Sequence, residues 1–160
     1  MNNKKNDEYK NLFITTTDTV VGLGVPVISD ELELLFKVKS REINKKIIIL
    51  VASIEQARFF KQWNAEAEKM ALKFWPGNTT LIVNDQGFRM PKCTKLLKLL
   101  EEKGACFVTS ANISGEKTLD FENAINKFPM IKQRYNLCQG SGVASKIIRV
   151  ENKEVIRYGE

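Results

Sequence analysis

Four short polar clusters carry the side chains of this chain that could do chemistry. The first is Thr16-Thr17-Asp18-Thr19, directly ahead of Val20-Val21-Gly22-Leu23-Gly24. The second is Lys39-Ser40-Arg41, which Lys45 and Lys46 extend into a dense positive patch. The third is Trp75-Pro76-Gly77-Asn78-Thr79-Thr80. The fourth, Val108-Thr109-Ser110-Ala111-Asn112-Ile113-Ser114-Gly115, sets four small hydrogen-bonding side chains close together at the end of an apolar run. Arg89 stands about twenty residues ahead of it. Hydroxyls donate and accept, an amide offers two donors and an acceptor, and fixed cations suit a polyphosphate whose charge redistributes. Each cluster also has a plain structural reading. Ser and Asn satisfy turns, threonines suit strands, cations complement helix C-termini, and Pro-Gly punctuates.

The chain contains no histidine. That excludes Ser-His-Asp and Cys-His catalysis and removes the commonest transition-metal ligand. Chemistry here must rest on positioning, cationic side chains, hydroxyls and a magnesium ion carried in by the ligand.

The elements that hold these clusters follow from apolar periodicity and capping signals. Leu12-Phe13-Ile14 begins a strand that runs into the threonine cluster. Asp30 with Glu33 reads as a capping box for a helix ending near Lys39-Ser40-Arg41, with Leu32, Leu35 and Phe36 on one face. Ile47 to Val51 is a buried strand. Ser53 with Gln56 caps a second helix, and a third runs from Ala65 to Phe74, stopped by Pro76-Gly77. Thr79 to Val83 is a strand, and Thr94 to Lys103 a helix with Leu96, Leu97, Leu99 and Leu100 inward. A strand from Ala105 delivers the fourth cluster. A helix over 120–128, a short strand over 135–138 and a terminal hairpin around Asn152-Lys153 complete the chain. Alternating strands and helices with a terminal hairpin predict an α/β (α+β) domain with a mixed sheet.

Length and composition fit one soluble domain over 11–160, preceded by a polar, frayed segment at 1–10. An excess of 25 Lys and Arg over 19 Asp and Glu favours anionic partners. The aliphatic stretch from Ile47 to Ala52 is far too short to span a bilayer, and the start lacks the apolar core of a signal peptide. Cys93, Cys106 and Cys138 are an odd number and far apart, so no disulfide framework or zinc knuckle is expected. The expected compartment is the reducing cytoplasm.

Taken in order, the clusters resemble the YrdC-like L-threonylcarbamoyladenylate synthases. The matching stretches are Thr17-Asp18-Thr19-Val20-Val21-Gly22-Leu23-Gly24, Lys39-x-Arg41, Trp75-Pro76-Gly77-x-x-Thr80, Arg89 and Thr109-Ser110-Ala111-Asn112-x-Ser114-Gly115. Ser141-Gly142-Val143-Ala144-Ser145-Lys146-Ile147-Ile148 resembles the family's Ser-rich turn, and Arg157-x-Gly159 its close. The resemblance spans about residues 10–160. Departures are Val21, where an aromatic residue is common, Thr16, Glu42 and Asn78, where proline is usual, and Lys46, near a usual glycine or proline.

The resemblance implies a twisted mixed sheet flanked by helices, with a concave basic face. It implies a nucleotidyltransferase making threonylcarbamoyl-AMP and pyrophosphate from L-threonine, bicarbonate and ATP, with ATP-borne magnesium. The product would feed the threonylcarbamoyladenosine modification of tRNA through a downstream transferase machinery, with tRNA contact as a further expectation. By the same resemblance, Lys39 and Arg41 hold the phosphates and Arg89 takes the threonine carboxylate in a two-pronged grip. Thr19, Thr109 and Ser145 serve threonine, and Thr80, Ser110, Asn112 and Arg157 the nucleotide side. Asp18 orients the first motif, helps hold magnesium or serves a turn. Any lid must come from the loops around 85–92 or 139–146. Alanine at Arg41 or Arg89 is expected to abolish pyrophosphate release with the fold intact. The alternatives are a non-enzymatic tRNA- or RNA-binding module, and an inactive or carbamoyl-adenylate-forming relative.

Overall fold

A computed structural model describes residues 7–43 and 45–159. Nine strands among them form one mixed sheet: β1 (Phe13–Thr15), β2 (Gly22–Pro26), β3 (Ile48–Leu50), β4 (Thr79–Val83), β5 (Gln86–Arg89), β6 (Cys106–Ser110), β7 (Gln133–Tyr135), β8 (Lys146–Arg149) and β9 (Val155–Arg157). Their order across the sheet is β7-β1-β2-β6-β3-β5-β4-β8-β9. The β1/β7, β3/β5 and β4/β8 pairs are parallel and the other five antiparallel. The helices are α1 (Leu32–Lys39), α2 (Ile54–Arg58), α3 (Ala65–Phe74), α4 (Thr94–Lys103) and α5 (Phe121–Lys127).

Alternation along the strands sends neighbouring side chains to opposite faces. In β1, Ile14 joins a core with Leu35 and Phe36 of α1 and Ala124 of α5, whereas Phe13 joins Leu96, Leu99 and Leu100 of α4. In β3, Ile49 packs with Ala67 and Ala71 of α3, and Leu50 with α4. Gly24, the cross-strand partner of Phe13, lets that ring lie flat on the sheet: a Cβ there would meet it.

Helices α3 and α4 have the ends that capping and punctuation predict. The Asn64 side chain accepts from Ala67 N–H, Ser53 from Gln56 N–H and Asp120 from Asn123 N–H. Four readings need correction. Asp30 does not cap α1; it sits left-handed (φ 58°) at the end of a 3-10 turn, and no side chain caps α1. The short strand near 135 is β7, two residues earlier than expected. Residues 86–89, expected in a lid loop, are the buried strand β5, turned back from β4 by Asn84 and Asp85, both at positive φ. Residues 8–11 form a turn whose Tyr9 packs on the α1–α5 core; the frayed reading of residues 1–6 lies outside the described residues.

Cysteine arithmetic also misled. Cys93 and Cys138 form a disulfide, joining the start of α4 to the loop after β7 across 45 positions. Sheet order brings the two together, and nothing in their spacing announces it. Cys106 is free and buried. No helix among the described residues is long and apolar enough to cross a membrane.

Candidate functional site

The four polar clusters converge at the end of the sheet where β6 leaves it. Register fixes the geometry, since Gly22 of β2 pairs with Ser110 and the loop before Gly22 therefore faces the loop after Ser110. Between them lies a cavity of about 320 Å³. Thr19, Arg41, Arg89, Thr109, Ser145 and Arg157 reach it, as does Ser110. Lys46 adds a fourth cation, and among the described residues no carboxylate lines the cavity. One wall is apolar, with Ile47, Ile48, Leu50, Val108 and Ile147.

Three expected residues stand behind this surface. Lys39 is 1% exposed, and its ammonium donates to Thr109 Oγ1 (2.9 Å), Ser110 O (2.6 Å), Ser110 Oγ (3.3 Å) and Asn112 Oδ1 (3.3 Å). It ties the end of α1 to the β6 loop and has no surface on the cavity. Burial, then the nearby Arg41 charge, pulls its pKa down to about 8. Asn112 accepts from Ser110 Oγ (2.6 Å) and donates to the carbonyls of Ile113 and Glu116, so it shapes the loop. Thr80 is fully buried and shares a hydrogen bond with Ser145 Oγ (2.8 Å).

The arginines are held by different devices. Ser40 is left-handed (φ 52°), and its turn swings Arg41 back, where the guanidinium donates to the carbonyls of Lys45 and Lys46. Arg157 donates to Ser145 O (2.8 Å) and Ser145 Oγ (3.2 Å). Burial lowers the pKa of both, and the Arg89 charge adds to the effect on Arg157; both guanidiniums remain charged at neutral pH. Arg89, 3% exposed, donates to Asp18 Oδ1 (2.6 Å), Gly77 O (3.1 Å) and Thr19 Oγ1 (3.0 Å). Its Nε is buried without a partner. Nη1 is spent on Asp18 and Gly77, so the N–H groups of Arg89 left without a partner are Nε–H and one of Nη2.

Thr17 sets the direction of the hydroxyls. Its proton goes to Val20 O (2.6 Å), so its oxygen receives the Thr19 N–H (3.0 Å) and the Thr19 hydroxyl (3.1 Å). Thr19 thus spends its own proton, accepts from Arg89 and turns its remaining lone pair to the cavity. Thr17, Lys46 and Thr118 are lining residues that were not singled out as ligands. Lys46 had a signal, the positive patch; Thr118 had none. Among the described residues no group of three or more His, Cys, Asp or Glu side chains could hold a metal. Both Asp18 oxygens are taken, by Arg89 and by the Lys92 N–H (2.9 Å). The residues thus do not fit a metal held by the protein.

A mixed sheet flanked by helices, with a cationic, hydroxyl-lined cavity at one end, defines an α/β domain. The chain belongs to the Sua5/YciO/YrdC family, whose model, described as telomere recombination, matches residues 9–159. It is 31% identical over 151 residues to MG259, an uncharacterized protein of Mycoplasma genitalium, covering 90% of this chain and 31% of that protein. It is 28% identical over 174 residues to the threonylcarbamoyl-AMP synthase of Buchnera aphidicola subsp. Baizongia pistaciae, covering 94% of this chain and 92% of that enzyme. Among solved structures, P. abyssi Sua5 complexed with L-threonine superposes with a TM-score of 0.80 at 29% identity, over 96% of this chain and 51% of that one. E. coli YciO superposes equally well, TM-score 0.80, at 16% identity over 94% of this chain and 84% of that one, a likeness of fold alone. The chain spans about a third of MG259 and about half of P. abyssi Sua5.

Proposed function

We propose that this domain is an L-threonylcarbamoyladenylate synthase, joining L-threonine, bicarbonate and ATP into threonylcarbamoyl-AMP with release of pyrophosphate. The observation that carries the reading is the cavity itself. Three arginines and a lysine meet hydroxyls and an apolar wall there, in a chain related to a Sua5 that holds L-threonine.

The chemistry asks for no protein nucleophile. The threonine amine adds to bicarbonate with loss of water, giving a carbamate. A carbamate oxygen then attacks the α-phosphorus, and the bond from that phosphorus to the bridging oxygen breaks as pyrophosphate leaves. Two anions must be held together while charge moves onto the leaving group, which is work for positioning and fixed cations. In this reading Arg41, Lys46 and Arg157 hold the polyphosphate, with Ser110 beside it. The free Nη2 N–H of Arg89 meets the threonine carboxylate. Thr19, an acceptor, receives the amine N–H, and Thr109 and Ser145 complete the amino-acid side. Lys39, Asn112 and Thr80 support these groups from behind. Magnesium carried by ATP would offset phosphate charge, and no carboxylate cluster among the described residues would hold it.

The product would pass to the machinery that modifies tRNA, with the net positive charge favouring tRNA contact. The test is pyrophosphate release measured with each substrate omitted in turn. Release that needs ATP, L-threonine and bicarbonate together supports the reading. Absence of release with all three present overturns it in favour of a binding module, and release on carbamoyl phosphate with ATP would favour a carbamoyl-adenylate relative.

A further inference from the structure

Among the described residues, Asp18 is the one carboxylate that reaches an arginine of the cavity, and its two oxygens do different things. Oδ1 accepts from Arg89 Nη1 (2.6 Å) and Oδ2 from the backbone N–H of Lys92 (2.9 Å). Asp18 is itself fixed, since its carbonyl accepts from Ser141 N–H (3.0 Å) and the next residue is tied to Thr17. Both side chains of the pair are nearly buried, 12% exposed for Asp18 and 3% for Arg89. The Asp18–Arg89 pair joins the loop before β2 to the end of β5 and the segment before α4.

We propose that Asp18 is a positioning residue that acts through Arg89 to reserve it for the carboxylate of an amino acid; this rests on the reading under Proposed function. A buried guanidinium beside Arg41 and Arg157 would be drawn to the most highly charged anion in the cavity, the polyphosphate. Asp18 prevents this in two ways. It neutralises the Arg89 charge, and it occupies Nη1, so the N–H groups that remain are on the Nε–Nη2 edge next to Thr19. That edge beside an acceptor hydroxyl matches the carboxylate and amine of one amino acid. Asp18 is thus neither a magnesium ligand nor a mere turn residue.

The variant that separates these roles is Asp18→Asn. The amide keeps the shape but has only one acceptor, so its NH2 must face either the Arg89 Nη1 or the Lys92 N–H. Calorimetric titration of the full chain should show L-threonine binding weakened tenfold or more, with ATP binding unchanged or tighter. The guanidinium NMR signals of Arg89 should report slow Nη rotation in the parent chain and fast rotation in the variant. Unchanged threonine affinity, an equal loss for both ligands, or an unchanged Arg89 spectrum overturns the proposal. If Asp18→Asn does not fold, Asp18→Glu carries the same measurements, because its longer arm cannot serve both donors in place. Failure of the parent chain to bind L-threonine would refute the proposed function instead, and the NMR comparison would still judge the hold of Asp18 on Arg89.

Discussion

Lys39→Met should erase a pH dependence of stability that the parent chain carries. Lys39 is buried with neutral acceptors only, and its pKa falls from the ordinary 10.5 to about 8. At pH 7 the folded and unfolded states both hold the proton, and the folded state bears the cost of a buried ammonium. Between about pH 8 and 10.5 the folded state releases the proton while the unfolded state keeps it, so stability rises with pH. At about 1.4 kcal/mol per decade the gain approaches about 3 kcal/mol. Cys106 works against it: burial pushes its thiol from 9.0 up to about 12, so above pH 9 the unfolded chain loses a proton that the folded one keeps, and stability falls. The assay is therefore a difference. Urea unfolding of the parent and of Lys39→Met is followed from pH 7 to 10.5, and the Cys106 contribution cancels. The parent should gain on the variant by about 3 kcal/mol across that range. Parallel curves would refute the reasoning.

Reducing Cys93–Cys138, which closes 45 positions of chain, should cost about 2–4 kcal/mol of stability. Thermal unfolding with and without dithiothreitol tests this, and coincident midpoints would contradict it. Gly140→Ala drives a Cβ into Thr19 O and to 3.0 Å from Thr17 O, backbone atoms that cannot move cheaply. A loss of about 1–3 kcal/mol is expected in denaturant titration, with slower pyrophosphate release. Arg41→Ala, which gives up only two carbonyl contacts at the rim, should slow pyrophosphate release by roughly a hundredfold or more with little change in unfolding midpoint. Arg89→Ala differs from the expectation drawn from sequence. It strands the nearly buried Asp18 carboxylate, so about 3–5 kcal/mol of stability should go with the activity.

Local signals survived into the fold where chemistry and geometry act over a few residues. The Ser53–Gln56 cap, the bounds of α3 and α4 and the end of α1 at Lys39 all sit where capping and apolar periodicity put them or next to it. Strand β5 was missed because Gln86-Gly87-Phe88-Arg89 is four residues long and ends on the charge it delivers. The Asn84-Asp85 turn was the available sign. The site residues were legible as types but not as layers. Lys39 and Arg41 are one turn residue apart, yet one is sealed among hydroxyls and the other faces the cavity. The Asp18–Arg89 pair spans 71 positions and the Cys93–Cys138 link 45. Both are set by sheet order, which no local pattern encodes.

The central claim is tested most directly by the fate of bicarbonate. The chain is incubated with ATP, L-threonine and 13C-bicarbonate, and the nucleotide products are read by mass spectrometry. The account predicts a threonylcarbamoyl-AMP carrying one 13C, formed with one pyrophosphate. ATP turnover without the labelled adduct, or no turnover in a folded protein, would contradict it.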